Sequence, residues 1–283
     1  MKKVKKPIWI AIVVVCIAVI VGGAIFLINY LKPPAEDSLS RADLTEASHP
    51  ETEAPSATEA ATQPATQKPT LNGFGQKTSK PPEDWSGLSF DELMKKNPDI
   101  YAWLYIPGTN VDYPVCQSLD GDDDFYLDHN IYRDYQFSGT IYSQTKNSRD
   151  FNDPVTVLYG HNMLNGSMFA SLHNFEDKEF FQKYNTAFVF TKDKLLTYLI
   201  YSAYTYDDRH ILNSFHTEFE KAFLDYIDST LNPRFYDGNV REGVTPDKDS
   251  RILTLSTCTN GASDTRYLVQ GVLVDVQSRE PFD

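Results

Sequence analysis

The apolar positions divide the chain into three stretches. Residues 8–31 (IWIAIVVVCIAVIVGGAIFLINYL) form an apolar run without a single charge. At ~1.5 Å rise per residue, a helix of this length crosses the roughly 30 Å hydrocarbon layer. Lys2, Lys3, Lys5 and Lys6 precede it, so the positive-inside rule expects residues 1–7 in the cytoplasm and everything after Leu31 outside. The rival reading is a cleaved leader, whose apolar core is usually shorter, about 7–15 residues. From 32 to 82 the chain is rich in Pro, Thr, Ala and Glu and nearly free of large apolar side chains. Such a segment cannot offset its own ordering entropy, and it reads as a disordered, extended stalk.

The third stretch, 83–283, changes period. Ser89 and Glu92 form a capping box, opening a short helix that ends near Asn97-Pro98. YAWLYIPG (101–108), VDYPVC (111–116), GTIYS (139–143), VTVLYG (155–160), TAFVF (186–190), LLTYLIYSAYTY (195–206), RILTLSTC (251–258) and RYLVQGVLVDV (266–276) follow as strands. Pro114 marks an edge or a bulge in the second of these. The last strand is apolar on both faces, as an interior strand is. Helical patterns are few: short turns between 167 and 184, and an amphipathic helix from a capping box at Thr217 and Glu220 to about Leu231. Many strands with few helices predict one mostly β, barrel-like domain with helical decoration. No internal repeat is present.

Charge and cysteine count narrow the function. A net charge of −13 and a pI near 4.9 argue against nucleic acid or anionic lipid as the main partner. Only three cysteines occur, too few for a disulfide-stapled secreted domain. Cys16 falls in the apolar run and reads as an ordinary membrane residue, while Cys116 reads as a buried hydrophobe.

Cys258 is different, because it ends a predicted strand. Arg266 begins the next strand after one loop, and His161 ends VTVLYG at a Gly/Asn-rich turn. Strand ends expose reactive groups on a rigid scaffold. A thiol of ordinary pKa near 8.5 needs a neighbouring imidazole to become a nucleophile. Acyl transfer builds charge on a carbonyl oxygen, which a guanidinium or backbone N–H groups stabilise, and the imidazole returns a proton to the leaving amine. Taken singly, each residue has an ordinary structural reading. His129, His173, His210 and His216 lack comparable context and read as structural. No His/Cys/Asp spacing indicates zinc, and the acidic run Asp120 to Asp124 reads as a solvated turn rather than a calcium site.

TLSTC (254–258) followed by Arg266 resembles the Thr-Leu-x-Thr-Cys…Arg signature of sortases, and LYGHNM (158–163) resembles the segment carrying their histidine. The likeness runs from about Asp99 to the last strand. The helical insert around 217–231, the extra N-terminal helix and the N-terminal anchor resemble class B. The resemblance implies an eight-stranded β-barrel with Cys258, His161 and Arg266 in its groove and no obligatory cofactor. It implies substrate contacts at Ser256, Thr257, Tyr159 and Leu127. A position often Asn in that class aligns with Asp123, and the loop at His210-Ile211 is a further candidate contact.

The implied activity is a cysteine transpeptidase. It cleaves a Leu-Pro-x-Thr-Gly-like or Asn-Pro-x-Thr-like sorting signal of surface proteins and joins them to a peptidoglycan amine. A pilin-polymerising enzyme with a Lys acceptor, a non-catalytic surface binding module and a plain cysteine peptidase stand as the alternatives.

Overall fold

The computed structural model describes residues 73–82, 88–234, 238–259 and 264–278. The N-terminus 1–7, the apolar run 8–31 with Cys16, and the stalk up to 72 lie outside them. Among the described residues no helix is long and apolar enough to cross a membrane. Residues 73–82, at the end of the stretch read as stalk, run along the domain. The Ser79 N–H donates to Thr186 Oγ1 at 2.8 Å, and Asn185 Nδ2 donates to the Lys77 carbonyl at 2.7 Å.

Nine strands follow among the described residues: β1 (Ile100–Tyr105), β2 (Asp112–Cys116), β3 (Ile141–Tyr142), β4 (Val155–Tyr159), β5 (Thr186–Phe190), β6 (Lys194–Asp207), β7 (Asn239–Val240), β8 (Ile252–Cys258) and β9 (Thr265–Ser278). The order is β5-β1-β2-β3-β4-β8-β9-β6, and β6 pairs back onto β5, so eight strands close into a barrel. The two-residue β7 adds to β6 outside that ring. Closure removes the edges that an open sheet would have to protect. The β2–β3 and β4–β8 ladders are parallel and the others antiparallel. Pro114 sits where β2 pairs with β1 alone, since β3 joins only from Val115. There its missing N–H costs least.

The near-continuous apolar runs have a simple cause: both faces of most strands are covered. Leu104, Leu158, Val189, Leu253, Leu255 and Val269 fill the barrel interior. On one outside face, helix α1 (Phe90–Lys96) lays Phe90 and Leu93 over Trp103, Phe188 and Phe190. After α2 (Lys178–Lys183) and the single-turn α3 (Ile211–Ser214) comes α4 (Glu220–Leu231). Its Phe223, Tyr226, Ile227 and Thr230 are buried at one-face helical spacing. That stripe covers Val157, Tyr201, Leu268 and Val272 on the other outside face. Tyr226 Oη meets Thr254 Oγ1 at 2.6 Å and donates to Gln270 Oε1 at 3.2 Å, pinning α4 to β8 and β9.

Ser89 caps α1 as its pattern predicts, accepting from the Glu92 N–H at 3.4 Å. The second capping box does not form. Helix α4 starts at Glu220 with Phe219 as N-cap and no side-chain cap bond. Thr217 is buried within the turn that the Phe219 N–H closes on the His216 carbonyl, two residues before the helix cap. The stretch between 167 and 184 becomes a 3₁₀ segment (Ala170–Glu176) followed by α2.

Candidate active site

Three adjacent strands deliver the site. In the parallel β4–β8 ladder Tyr159 pairs with Ser256, and the Gly160 N–H donates to the Ser256 carbonyl at 3.2 Å. Both strands therefore end at the same mouth of the barrel, β4 handing off to His161 and β8 ending at Cys258. In the antiparallel β8–β9 ladder Cys258 is directly opposite Arg266. Register alone thus places the thiol and the guanidinium side by side. Gly160 is required by space: a Cβ there would stand 2.5 Å from Ile141 Cδ1 and 2.8 Å from the Phe169 ring.

Cys258, His161, Arg266, Ser256, Thr257, Tyr159 and Leu127 all line one groove of about 260 Å³. Asp124 rather than Asp123 reaches it. Asp123 is occupied instead by the Thr145 N–H at 2.7 Å. The acidic run is spent in separate bonds: Asp120 pairs with Arg133, Asp122 caps the Asp124 N–H, and Asp124 accepts from Gln144. Cys116 is fully buried, and burial pushes its thiol far above the usual range.

The imidazole of His161 is held in one orientation. Its Nε2 lies 2.8 Å from the Leu127 carbonyl, which can only accept, so Nε2 carries the proton and Nδ1 keeps the lone pair of the neutral ring. The ring stacks on Phe137 with centroids 5.5 Å apart, and the Phe169 N–H donates to the His161 carbonyl at 2.9 Å. Burial lowers its pKa from the ordinary value, opposed by the Leu127 bond and by Asp128. The Leu127 carbonyl belongs to a 3₁₀ turn (Phe125–Leu127) that is itself anchored. Tyr126 Oη donates to buried Asp99 at 2.6 Å and accepts from Asn97 Nδ2 at 2.7 Å, while Arg133 closes on Asp99. Arg266 donates from Nη1 to the Thr265 carbonyl at 3.0 Å. Buried hydroxyls of Tyr159, Tyr206 and Thr257, all on groove-lining residues, have no hydrogen-bond partner among the described residues. A buried polar atom without a partner is costly.

Two histidines read as structural belong to this region. His210 lines the groove with Ile211. It caps α3, its Nδ1 accepting from the Asn213 N–H at 3.2 Å while Nε2 donates to Gln144. Burial and the nearby Lys146 charge lower its pKa. His173 approaches the Cys258 carbonyl to 3.0 Å. Neither sits in a local motif, and only long-range packing brings them here.

A thiol, a neutral imidazole with an available nitrogen and a guanidinium at the mouth of a closed barrel are the groups that acyl transfer through a cysteine requires. Among the described residues no cluster of His, Cys, Asp or Glu is arranged to hold a metal. Comparison with known proteins points the same way. The family model described as Sortase domain matches residues 104–274. Sortase B of Listeria monocytogenes is 36% identical over 188 residues, covering 65% of this chain and 73% of that protein. The solved sortase B of Clostridium perfringens aligns with a TM-score of 0.60 at 31% identity, over 66% of this chain and all of that one. A Streptococcus pyogenes class B sortase described as involved in pilus biogenesis aligns with a TM-score of 0.56 at 29% identity, over 66% of this chain and 99% of that one. The chain belongs to the sortase family of cysteine transpeptidases, and within that family it is most like class B.

Proposed function

We propose that the chain cleaves a C-terminal sorting signal of the Leu-Pro-x-Thr-Gly-like or Asn-Pro-x-Thr-like kind and joins the resulting acyl group to a peptidoglycan amine. His161 Nδ1 takes the proton of Cys258, and the thiolate adds to the threonine carbonyl. Arg266 stabilises the oxyanion. The protonated imidazole then gives its proton to the departing amine as the C–N bond breaks, leaving a thioacyl-enzyme. An incoming amine loses a proton to His161, forms the new C–N bond and releases the thiol. Ser256, Thr257, Tyr159 and Leu127, which line the groove, contact the signal. We further propose that residues 8–31 anchor the chain with its catalytic domain outside, where both substrates are found.

The observation that carries this reading is the cross-strand pairing of Cys258 with Arg266 beside the end of β4 that bears His161. Intact mass of the full chain, mixed with a panel of sorting-signal peptides with and without an added amine, tests it. A Cys258-dependent thioacyl adduct that the amine converts to ligated peptide is expected, and Cys258→Ala forms none. No adduct with any peptide, together with an unalkylated Cys258 near neutral pH, favours the binding-module reading instead. The similarity to a pilus-associated class B sortase supports a second acceptor, a pilin lysine. Preferential resolution of the adduct by a lysine side-chain amine over a stem-peptide amine selects it.

A further inference from the structure

Strand β8 outlasts its neighbour β4, and that leaves a bond to be made at the nucleophile. The Ser256 carbonyl faces β4 and takes the Gly160 N–H. Carbonyl directions repeat every second residue along a strand, so the Cys258 carbonyl faces the same side. There β4 has already turned away at His161. The next rung is supplied by side chains: Asn162 Nδ2 and His173 Nε2 each stand 3.0 Å from the Cys258 carbonyl oxygen. His173 comes from the 3₁₀ segment (Ala170–Glu176), and its ring stacks on Tyr267 of β9 with centroids 4.8 Å apart. Its Nδ1 lies 2.5 Å from Glu176 Oε1. The carboxylate accepts from Nδ1–H, and Asn162 Nδ2 stands 3.1 Å from Nε2 as well as 3.0 Å from the Cys258 carbonyl, so carboxylate, ring, amide and carbonyl form one connected cluster. The side chain of His173 is 10% exposed and that of Glu176 51%.

We propose that His173, oriented by Glu176 and working with Asn162, is a positioning residue for the nucleophile: it completes the β4–β8 ladder at Cys258 and so holds the thiol against His161 and Arg266. This rests on the reading of Cys258 as nucleophile given above. Its role is to fix the last residue of a strand whose outer neighbour is missing, and it touches neither donor peptide nor acceptor. Loss of the bond therefore lowers the rate of the chemical step and leaves peptide affinity in place. Misplacing a reacting group by about an ångström costs on the order of 100-fold in rate, and with Asn162 still bonded the loss here is about 10- to 100-fold.

The test is single-turnover acylation of the full chain by a cleavable sorting peptide, with rate and half-saturation read separately. His173→Phe keeps a ring against Tyr267 and removes both ring nitrogens. It is expected to lower the maximal acylation rate about 10- to 100-fold with half-saturation unchanged. His173→Gln, which keeps a side-chain amide of similar reach, recovers most of that rate. Glu176→Ala alters a half-exposed carboxylate, folds whatever His173→Phe does, and lowers the rate less, again at constant half-saturation. An unchanged rate in Glu176→Ala and His173→Phe overturns the proposal. So does a loss that His173→Gln fails to relieve, or one that appears only in half-saturation. A wild-type chain that forms no thioacyl adduct overturns the functional reading itself, whereas an active wild type with indifferent variants overturns only the role of His173.

Discussion

His161 is the residue whose chemistry the fold has altered most visibly. Burial disfavours its charged form, and the bonds to Leu127 and the charge of Asp128 only partly oppose that, so its pKa lies below the ordinary 6.5. The resting ring is neutral at neutral pH, as the proposed transfer of the Cys258 proton to it requires. A sign follows for stability. In the unfolded chain the imidazole binds its proton near pH 6.5, and in the folded protein only at lower pH. The unfolded state therefore takes up more protons as pH falls through 6.5. His161 withdraws stability in that window, down to its folded pKa, and contributes nothing to the pH dependence well above 6.5. An NMR titration of the His161 ring is expected to have its midpoint below 6.5, with His161→Gln reducing the loss of melting temperature between pH 7 and 5. A midpoint above 6.5 would show that the Leu127 bond, rather than burial, dominates.

At the scale of elements, the site is a set of strand ends braced by turns. The 3₁₀ turn (Phe125–Leu127) is the critical brace, since its last carbonyl fixes the His161 tautomer. Gly139 packs directly beneath it. With φ of +58° and a Cβ position 2.4 Å from the carbonyl oxygens of both Tyr126 and Leu127, it admits no side chain without moving those oxygens. Gly139→Ala is expected to cost about 1–3 kcal/mol from the left-handed backbone and the clash. It should also lower the acylation rate by displacing the Leu127 carbonyl from His161. Thermal melts and single-turnover rates on the same variant check both effects. A fall in stability with an unchanged rate would separate the turn from the chemistry. Helix α4 acts at greater distance: through Tyr226 it holds Thr254 and Gln270, which lie on the strands that end in Cys258 and begin near Arg266.

The whole molecule is a ring of strands closed by contacts between distant parts of the chain. Trp103 of β1 pairs with Phe190 of β5, and Val155 of β4 with Ile252 of β8. Such non-local pairings pay loop-closure entropy before burial returns it. The domain is therefore expected to refold in milliseconds to seconds, followed by a slower phase from its many prolines. Stopped-flow fluorescence reports the main phase through Trp103, which is fully buried. A microsecond main phase would contradict a closed barrel. The alternation and apolar runs determined by themselves that the third stretch is mostly β, and where most strands lie, because local side-chain pattern reflects which faces are covered. Cys258, His161 and Arg266 were legible because each sits at the end of such a run within a short, recognisable motif. The second capping box misled, since Thr217 is claimed by a turn that no local pattern announces. Only the tertiary structure decided that β4 stops one rung short of β8, that the Leu127 carbonyl selects the His161 tautomer, and that His173 and His210 reach the groove region. These depend on strand register and on contacts between segments far apart in sequence, which nothing in the spacing of residues along the chain encodes.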